Sequence, residues 1–523
     1  MNEFSLEKKV NQLFISAFKL TQKEPSLKNF YHLLQQCYHR LQQPMRVAIV
    51  GKIKAGKSTM MNALLGEALV ATGSVEATFN INWLKYDENK TLKVHFKDNR
   101  TPETKSVEEL SNITVRADEN RDYLLSVKYI EVFYPNKILK SFNLIDTPGL
   151  QSHYKDDSQN TVDFLQLHGD NLTEITQKEA QGADALLYLF SHSLAMDDSE
   201  IVKMFQGPVV GQATPINAIG VLTKVETYWT DPNVSEPMEA GKKVCQRLSA
   251  HPKVRDIFYT VYPTCGLLAL GAQTLTDNEW EILKKLAELP QKRMESLIGN
   301  VKRFCNREYE DVPIPPTERQ QVLNQLGQYG VWLAYNLIGS GVNQKSQLIE
   351  ELLQSSGVPE LRKLITSHFG HRAYLIKLGT VLQQIGTAYF REVQNFEGKA
   401  LEIIQKIGGK FEELQTQEHG FSELQVLRNH YENRLNFDDN EVQQLLYVTG
   451  EYGISCAQRL GLEECTSIEE MIPVARQRMN YWRQKAMDYF SNDSISIAAA
   501  SVLARSYEGI FYRVQKAKEY LYF

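Results

Sequence analysis

The 523-residue sequence has only six cysteines, at 37, 245, 265, 305, 456 and 465. No two stand in a CxxC or another zinc-ligand spacing, which excludes a zinc ribbon and fits reduced thiols. No apolar run reaches the roughly 18–20 residues that a membrane-spanning helix needs. Neither sign of charge dominates. The 58 Lys and Arg against 63 Asp and Glu leave a net charge of −5, which argues against a dedicated nucleic-acid binder. The 30 Gly and 17 Pro are too few for collagen or a low-complexity chain. There is no convincing short repeat. HExxH, a nucleophile elbow and a Ser/His/Asp signature are all missing. His368 and His371 are three apart without a third ligand, so they are expected as surface histidines rather than metal ligands. The opening, MNEFSLEKKV, lacks a signal-peptide pattern, so the expected location is cytoplasmic.

What is present changes character along the chain. Residues 1–44 read as helix, with stripes at Val10, Leu13, Phe14 and Phe18, and at Phe30, Leu33, Leu34, Cys37, Tyr38 and Leu41. From residue 45, short apolar runs of strand length alternate with helical patterns. They are Val47–Val50, Asn80–Tyr86, Leu92–Phe96, Ile130–Tyr134, Phe142–Ile145, Ala185–Phe190 and Ala218–Thr223. This alternation predicts an α/β domain with a mainly parallel sheet flanked by helices. From about 371 to 523 almost no strand signal remains. The helical stripe there is expected to break at Gly408-Gly409.

Three segments carry chemistry. Gly51-Lys52-Ile53-Lys54-Ala55-Gly56-Lys57-Ser58 fits GxxxxGK[ST], between an apolar run and a helix. Its glycines let backbone N–H groups face phosphate. Lys57 supplies charge to the β/γ-phosphates, and Ser58 a hydroxyl to Mg²⁺. Asp146-Thr147-Pro148-Gly149 follows the run Phe142–Ile145. It offers a carboxylate for Mg²⁺ and a glycine N–H for a γ-phosphate. Thr223-Lys224-Val225-Glu226 follows the run Ala218–Val221 and resembles [NT]KxD. Glu226 replaces Asp there, keeping the charge and adding a methylene. An ordinary solvated Lys–Glu pair is the alternative, with Asp231 a fallback carboxylate. Two further positions rest on the order of the motifs. Thr78 could give its hydroxyl to Mg²⁺ and its backbone to the attacking water. Cys265, in Tyr262-Pro263-Thr264-Cys265-Gly266, stands where a loop over the base is expected.

The wording GKIKAGKSTMMNALLGEALVATGSVEAT, with DTPGL, resembles the bacterial dynamin-like GTPases. The resemblance implies an enlarged P-loop GTPase domain at 45–370. It also implies an all-α bundle stalk made by N-terminal helices at 1–44 packing on a C-terminal segment at 371–523. It implies GTP and GDP as ligands with Mg²⁺. Lys57, Thr78 and Lys54 would be catalytic. Gly51, Lys54, Ala55, Gly56, Lys57, Ser58, Thr59, Gly149, Thr223, Lys224, Glu226 and Cys265 would hold nucleotide, and Ser58, Thr78 and Asp146 the metal. Further implications are hydrolysis stimulated by face-to-face pairing of GTPase domains, shape change, and remodelling of a membrane held peripherally.

Leu150 follows DTPG, where many small GTPases carry a water-orienting glutamine. Water positioning then falls to Thr78, to backbone groups or to a second molecule. Eukaryotic dynamins place a serine at the position of Lys54, beside a bound monovalent cation. The Lys54 ammonium is therefore a candidate substitute for that cation, with a solvent-facing lysine as the alternative. No strong lipid-contacting element stands out. Ile495–Arg505 reads as bundle core, and the basic-aromatic end 511–523 as either a packed helix or an interfacial one. The short stalk also suggests a second dynamin-like partner. The rival readings are a non-membrane regulatory GTPase switch and a nucleotide-binding scaffold.

Overall fold

The computed structural model describes residues 3–51, 54–70, 81–98, 100–110, 113, 123, 126–147, 183–191, 213–230, 234–370 and 372–521. The chain divides into two compact units. One comprises Met1–Met45, Thr214–Asn217 and Ile365–Phe523, the other Arg46–Ala213 and Ala218–Leu364.

The second unit is built on a sheet. In chain order its strands are β1 (Met45–Gly51), β2 (Asn82–Tyr86), β3 (Thr91–Phe96), β4 (Glu103–Lys105), β5 (Val127–Tyr134), β6 (Phe142–Asp146), β7 (Ala185–Phe190), β8 (Ala218–Leu222) and β9 (Val261–Pro263). Their spatial order is β4-β3-β5-β2-β6-β1-β7-β8-β9. The pairs β1–β7, β7–β8 and β8–β9 are parallel, which is the expected α/β arrangement. Strands β6, β7 and β8 are buried at every position, as strands covered on both faces must be.

The other half of the sheet is mixed. Strand β2 is antiparallel to β6 and parallel to β5, and β3 is antiparallel to both β4 and β5. Strand β4 was not foreseen because Glu103-Thr104-Lys105 is short and polar, an edge segment without an apolar run. Strand β9 is three residues long, Val261–Pro263, and closes the parallel half of the sheet.

The helical unit holds two apolar cores. Helices α1 (Glu3–Thr21) and α2 (Lys28–Gln42) lay Val10, Phe14, Phe30, Leu34 and Leu41 in one core. Leu378, Leu382, Ile385, Ile404 and Phe411 of two later helices join them there. Lys377 reinforces the join by donating to the carbonyls of Leu41 and Gln43 at 3.0 and 2.8 Å, at the C-terminal end of α2. The second core gathers Leu427, Leu445, Trp482, Leu503, Tyr507 and Ile510 from the C-terminal helices. Ala499, Ala500, Leu503 and Ala504 lie in it, so the 495–505 run is bundle core.

Two expectations are corrected here. The Gly408-Gly409 pair does not interrupt its helix, which runs unbroken over Gly398–Gln417. A Cβ on Gly408 would meet the Tyr389 ring at 2.3 Å, so this glycine allows a close helix crossing. His368 is not on the surface. It is wholly buried in a π-helical turn, Thr366–Gly370, where its Nε2 lies 3.0 Å from the Pro215 carbonyl. Burial holds its imidazole below the usual range. Nε2 therefore carries a proton, since a carbonyl can only accept. Burial alone would raise the Glu451 carboxyl, but His368 and Arg372 beside it hold it well below the carboxylate range. His371 lies outside the described residues.

Candidate nucleotide site

The site forms where β1 gives way to helix α3 (Lys57–Leu65). Gly51 ends β1, and a Cβ there would lie 2.3 Å from the Leu189 carbonyl oxygen. Only glycine allows β1 and β7 to approach this closely. Gly56 precedes α3 with φ of +85°, in the left-handed region that favours glycine. Lys54 also has a positive φ, 62°. A lysine held there costs conformational energy, a feature that clusters at functional sites. Its side chain is exposed.

Lys57 is buried, and its ammonium donates to the Gly51 carbonyl at 3.4 Å. Ser58 and Thr59 occupy the first turn of α3, both half-buried. The helix thus brings its positive end beside Lys57, an arrangement suited to an anion.

Asp146, wholly buried, ends β6. The next residue, Thr147, donates its hydroxyl to the Ile49 carbonyl at 2.8 Å, fixing the strand end against β1. Ser58 and Asp146 offer a hydroxyl and a carboxylate, the hard oxygen donors that suit magnesium. Thr78 and Gly149 lie outside the described residues, as do Leu150 and Asp231.

Thr223 follows β8. Its hydroxyl lies 2.8 Å from the Ala55 carbonyl and 3.0 Å from the Phe190 carbonyl. The turn after β8 and the loop between β1 and α3 are therefore tied directly. Lys224 has φ of +57°, which turns the chain sharply toward Glu226. Burial raises the Glu226 carboxyl above its usual range, and the Lys224 charge and Cys265 thiol oppose this only in part. Its Oε2 is buried without a hydrogen-bond partner among the described residues. Cys265 faces inward with a wholly buried side chain, and burial pushes its thiol up. Its N–H donates to the Ser356 carbonyl at 2.8 Å.

Asn62 was not singled out from sequence. It is buried in α3, where its amide donates to the Val70 carbonyl and its Oδ1 accepts from the N–H groups of Leu69 and Val70. It anchors the start of the segment that leads to Thr78. A polar residue inside the apolar stretch MMNALL was the available signal.

Residues 47–225 match the model of the Dynamin family. The chain is 28% identical over 475 residues to the isoniazid-induced protein IniC of Mycobacterium tuberculosis, covering 90% of each. It is 31% identical over 150 residues to dynamin-like protein 2 of Campylobacter jejuni, covering 28% of this chain and 24% of that protein. A solved oligomerised bacterial dynamin pair aligns over 99% of this chain and 74% of its own, at 14% identity and a TM-score of 0.29. The loop between β1 and α3 is a P-loop by sequence and geometry, and the segment 47–225 that contains it is similar to the Dynamin family. The resemblance to bacterial dynamin-like GTPases rests on this family match and on the bacterial dynamin-like relatives.

Proposed function

We propose that this chain hydrolyses GTP and couples turnover to the pairing of two copies and to work at a lipid surface. The observation that carries the reading is the Thr223–Ala55 hydrogen bond, which joins a base-reading motif to a phosphate loop beside Asp146. Backbone N–H groups of Gly51–Ser58, with Gly149, cradle the phosphates, and Lys57 neutralises charge on the β/γ oxygens. Lys224 packs its stem on the base, and Glu226 accepts from guanine N–H donors. Cys265 closes the loop over it. Ser58, Asp146 and Thr78 would hold magnesium, which supplies charge neutralisation when bound. With Leu150 unable to hydrogen-bond, Thr78 orients the attacking water together with groups from a second copy or a second dynamin-like chain. Lys54 reaches the transferring phosphate as a built-in cation.

The membrane part rests on one surface. Helices Ile468–Met487 and Ser494–Leu521 form a hairpin. At its turn Met487 and Tyr489 are each 73% exposed, and Phe490 is fully exposed. Asp488 accepts from the N–H of Phe490 and Ser491, and Asp493 from Ile495 and Ser496. Hydrogen bonds from the Ser491 and Ser496 side chains, with these backbone bonds, hold the two carboxyls below their usual range. The acids thus shape a turn that displays apolar and aromatic side chains, suited to a lipid interface. No helix among the described residues is long and apolar enough to cross a membrane, so attachment would be peripheral.

The test is co-sedimentation with phosphatidylcholine–phosphatidylglycerol vesicles, with and without GTPγS. The reading expects sedimentation that the analogue changes and that Phe490→Ser with Met487→Ser abolishes. No sedimentation in either state would leave the regulatory switch as the better reading.

A further inference from the structure

Asn82, the first residue of β2, is wholly buried. Neither its amide nitrogen nor its amide oxygen has a hydrogen-bond partner among the described residues. Burying both ends of an amide unpaired is destabilising, and an apolar residue of similar size would avoid the cost. Such a group in a folded protein needs an explanation.

The register of the sheet supplies one. In the antiparallel pair of β2 and β6, Leu84 stands opposite Leu144, and Asn82 opposite Asp146. Directly opposed residues point to the same face with Cβ atoms about 4.5–5.5 Å apart. On its other side, Asn82 pairs with Ile130, which is buried and apolar. Across this row of three strands, Asp146 is the only polar neighbour of Asn82. The face is apolar at Leu84–Leu144 and turns polar one step on, where β6 delivers its carboxylate to the nucleotide site.

We propose that Asn82 is a positioning residue for Asp146. On the reading that this site takes GTP with magnesium, the Asn82 amide donates to one carboxylate oxygen and leaves the other for the metal. Ligating carboxylates are commonly held in this way by a second hydrogen bond, and losing such a partner weakens metal binding by about 10–100-fold. The Asn82 amide has no other partner among the described residues, and the register sets the Asp146 carboxylate opposite it. No motif marks this residue. Asn82 stands four positions past Thr78, inside what reads as a plain apolar run.

The test uses the full chain and two variants, Asn82→Leu and Asn82→Ser. Binding of fluorescently labelled GDP is titrated at rising magnesium and in EDTA, and the nucleotide-free chain is melted. Asn82→Leu should raise the melting temperature of the free chain. It should also shift the magnesium midpoint upward by about tenfold, with affinity in EDTA unchanged. Asn82→Ser keeps a donor and should retain most of the magnesium response. An unmoved midpoint in Asn82→Leu overturns the proposal, and a lower melting temperature beside it makes Asn82 a packing residue. If Asn82→Leu does not fold, Asn82→Ala takes its place with the same criterion for the midpoint. Absence of GDP binding by the unaltered chain at every magnesium level would instead defeat the nucleotide reading itself.

Discussion

The Thr223 hydroxyl lies 2.8 Å from the Ala55 carbonyl, across 168 residues of sequence. It ties the end of β8 to the loop between β1 and α3, so on the proposed reading base recognition and phosphate binding share one support. Thr223→Val keeps the shape and removes the donor. It should weaken GTP and GDP binding by about tenfold, the worth of one buried hydrogen bond, measured by isothermal titration. Equal affinity would show that the loop holds without it.

Burial raises the Glu226 carboxyl. Guanine N–H donors bind the ionised carboxylate, and protons compete with them. Nucleotide affinity should therefore tighten as pH rises through the raised value and weaken as pH falls below it. Binding should release a proton. Glu226→Gln should flatten this dependence and lower affinity. Titrations between pH 5 and 8 in buffers of differing ionisation enthalpy read both effects. A pH-independent Kd would remove Glu226 from base recognition.

Lys54 holds a left-handed backbone at the loop with its side chain exposed. If its ammonium serves the transferring phosphate, turnover should barely distinguish Na⁺ from K⁺ and should collapse in Lys54→Ala. Strong activation of the unaltered protein by K⁺ would contradict the assignment.

Gly408 touches the Tyr389 ring across a helix crossing. Gly408→Ala should destabilise the chain by about 1–3 kcal/mol through overpacking. In a Tyr389→Ala background the same change should become stabilising, by about 0.5–1 kcal/mol, because alanine is the better helix former. Thermal or urea unfolding of the four proteins measures the reversal.

Much of the nucleotide half was legible because its signals are local. The run Val47–Val50, the glycines and Lys57 are contiguous, and each turn or strand follows from them. The polar edge strand β4 escaped notice because three alternating polar residues carry no periodicity. Gly408 was misread because a helix-breaking propensity of about 1 kcal/mol yields to a tertiary contact that only a partner helix reveals. His368 and Asn82 were opaque for a similar reason. Their partners, Pro215 and Asp146, lie 153 and 64 residues away and are set by packing and strand register. The exposed turn at Met487–Phe490 was equally hidden, since an aromatic pair in sequence does not say which way it faces.

The central claim is guanine-nucleotide hydrolysis at this loop. It is tested most directly by phosphate release from GTP and from ATP, by the full chain and by Lys57→Ala, with magnesium present. The account predicts turnover of GTP well above that of ATP, and its loss in Lys57→Ala. Equal use of ATP would contradict the reading of Thr223–Glu226, and GTP turnover that survives Lys57→Ala would contradict the site.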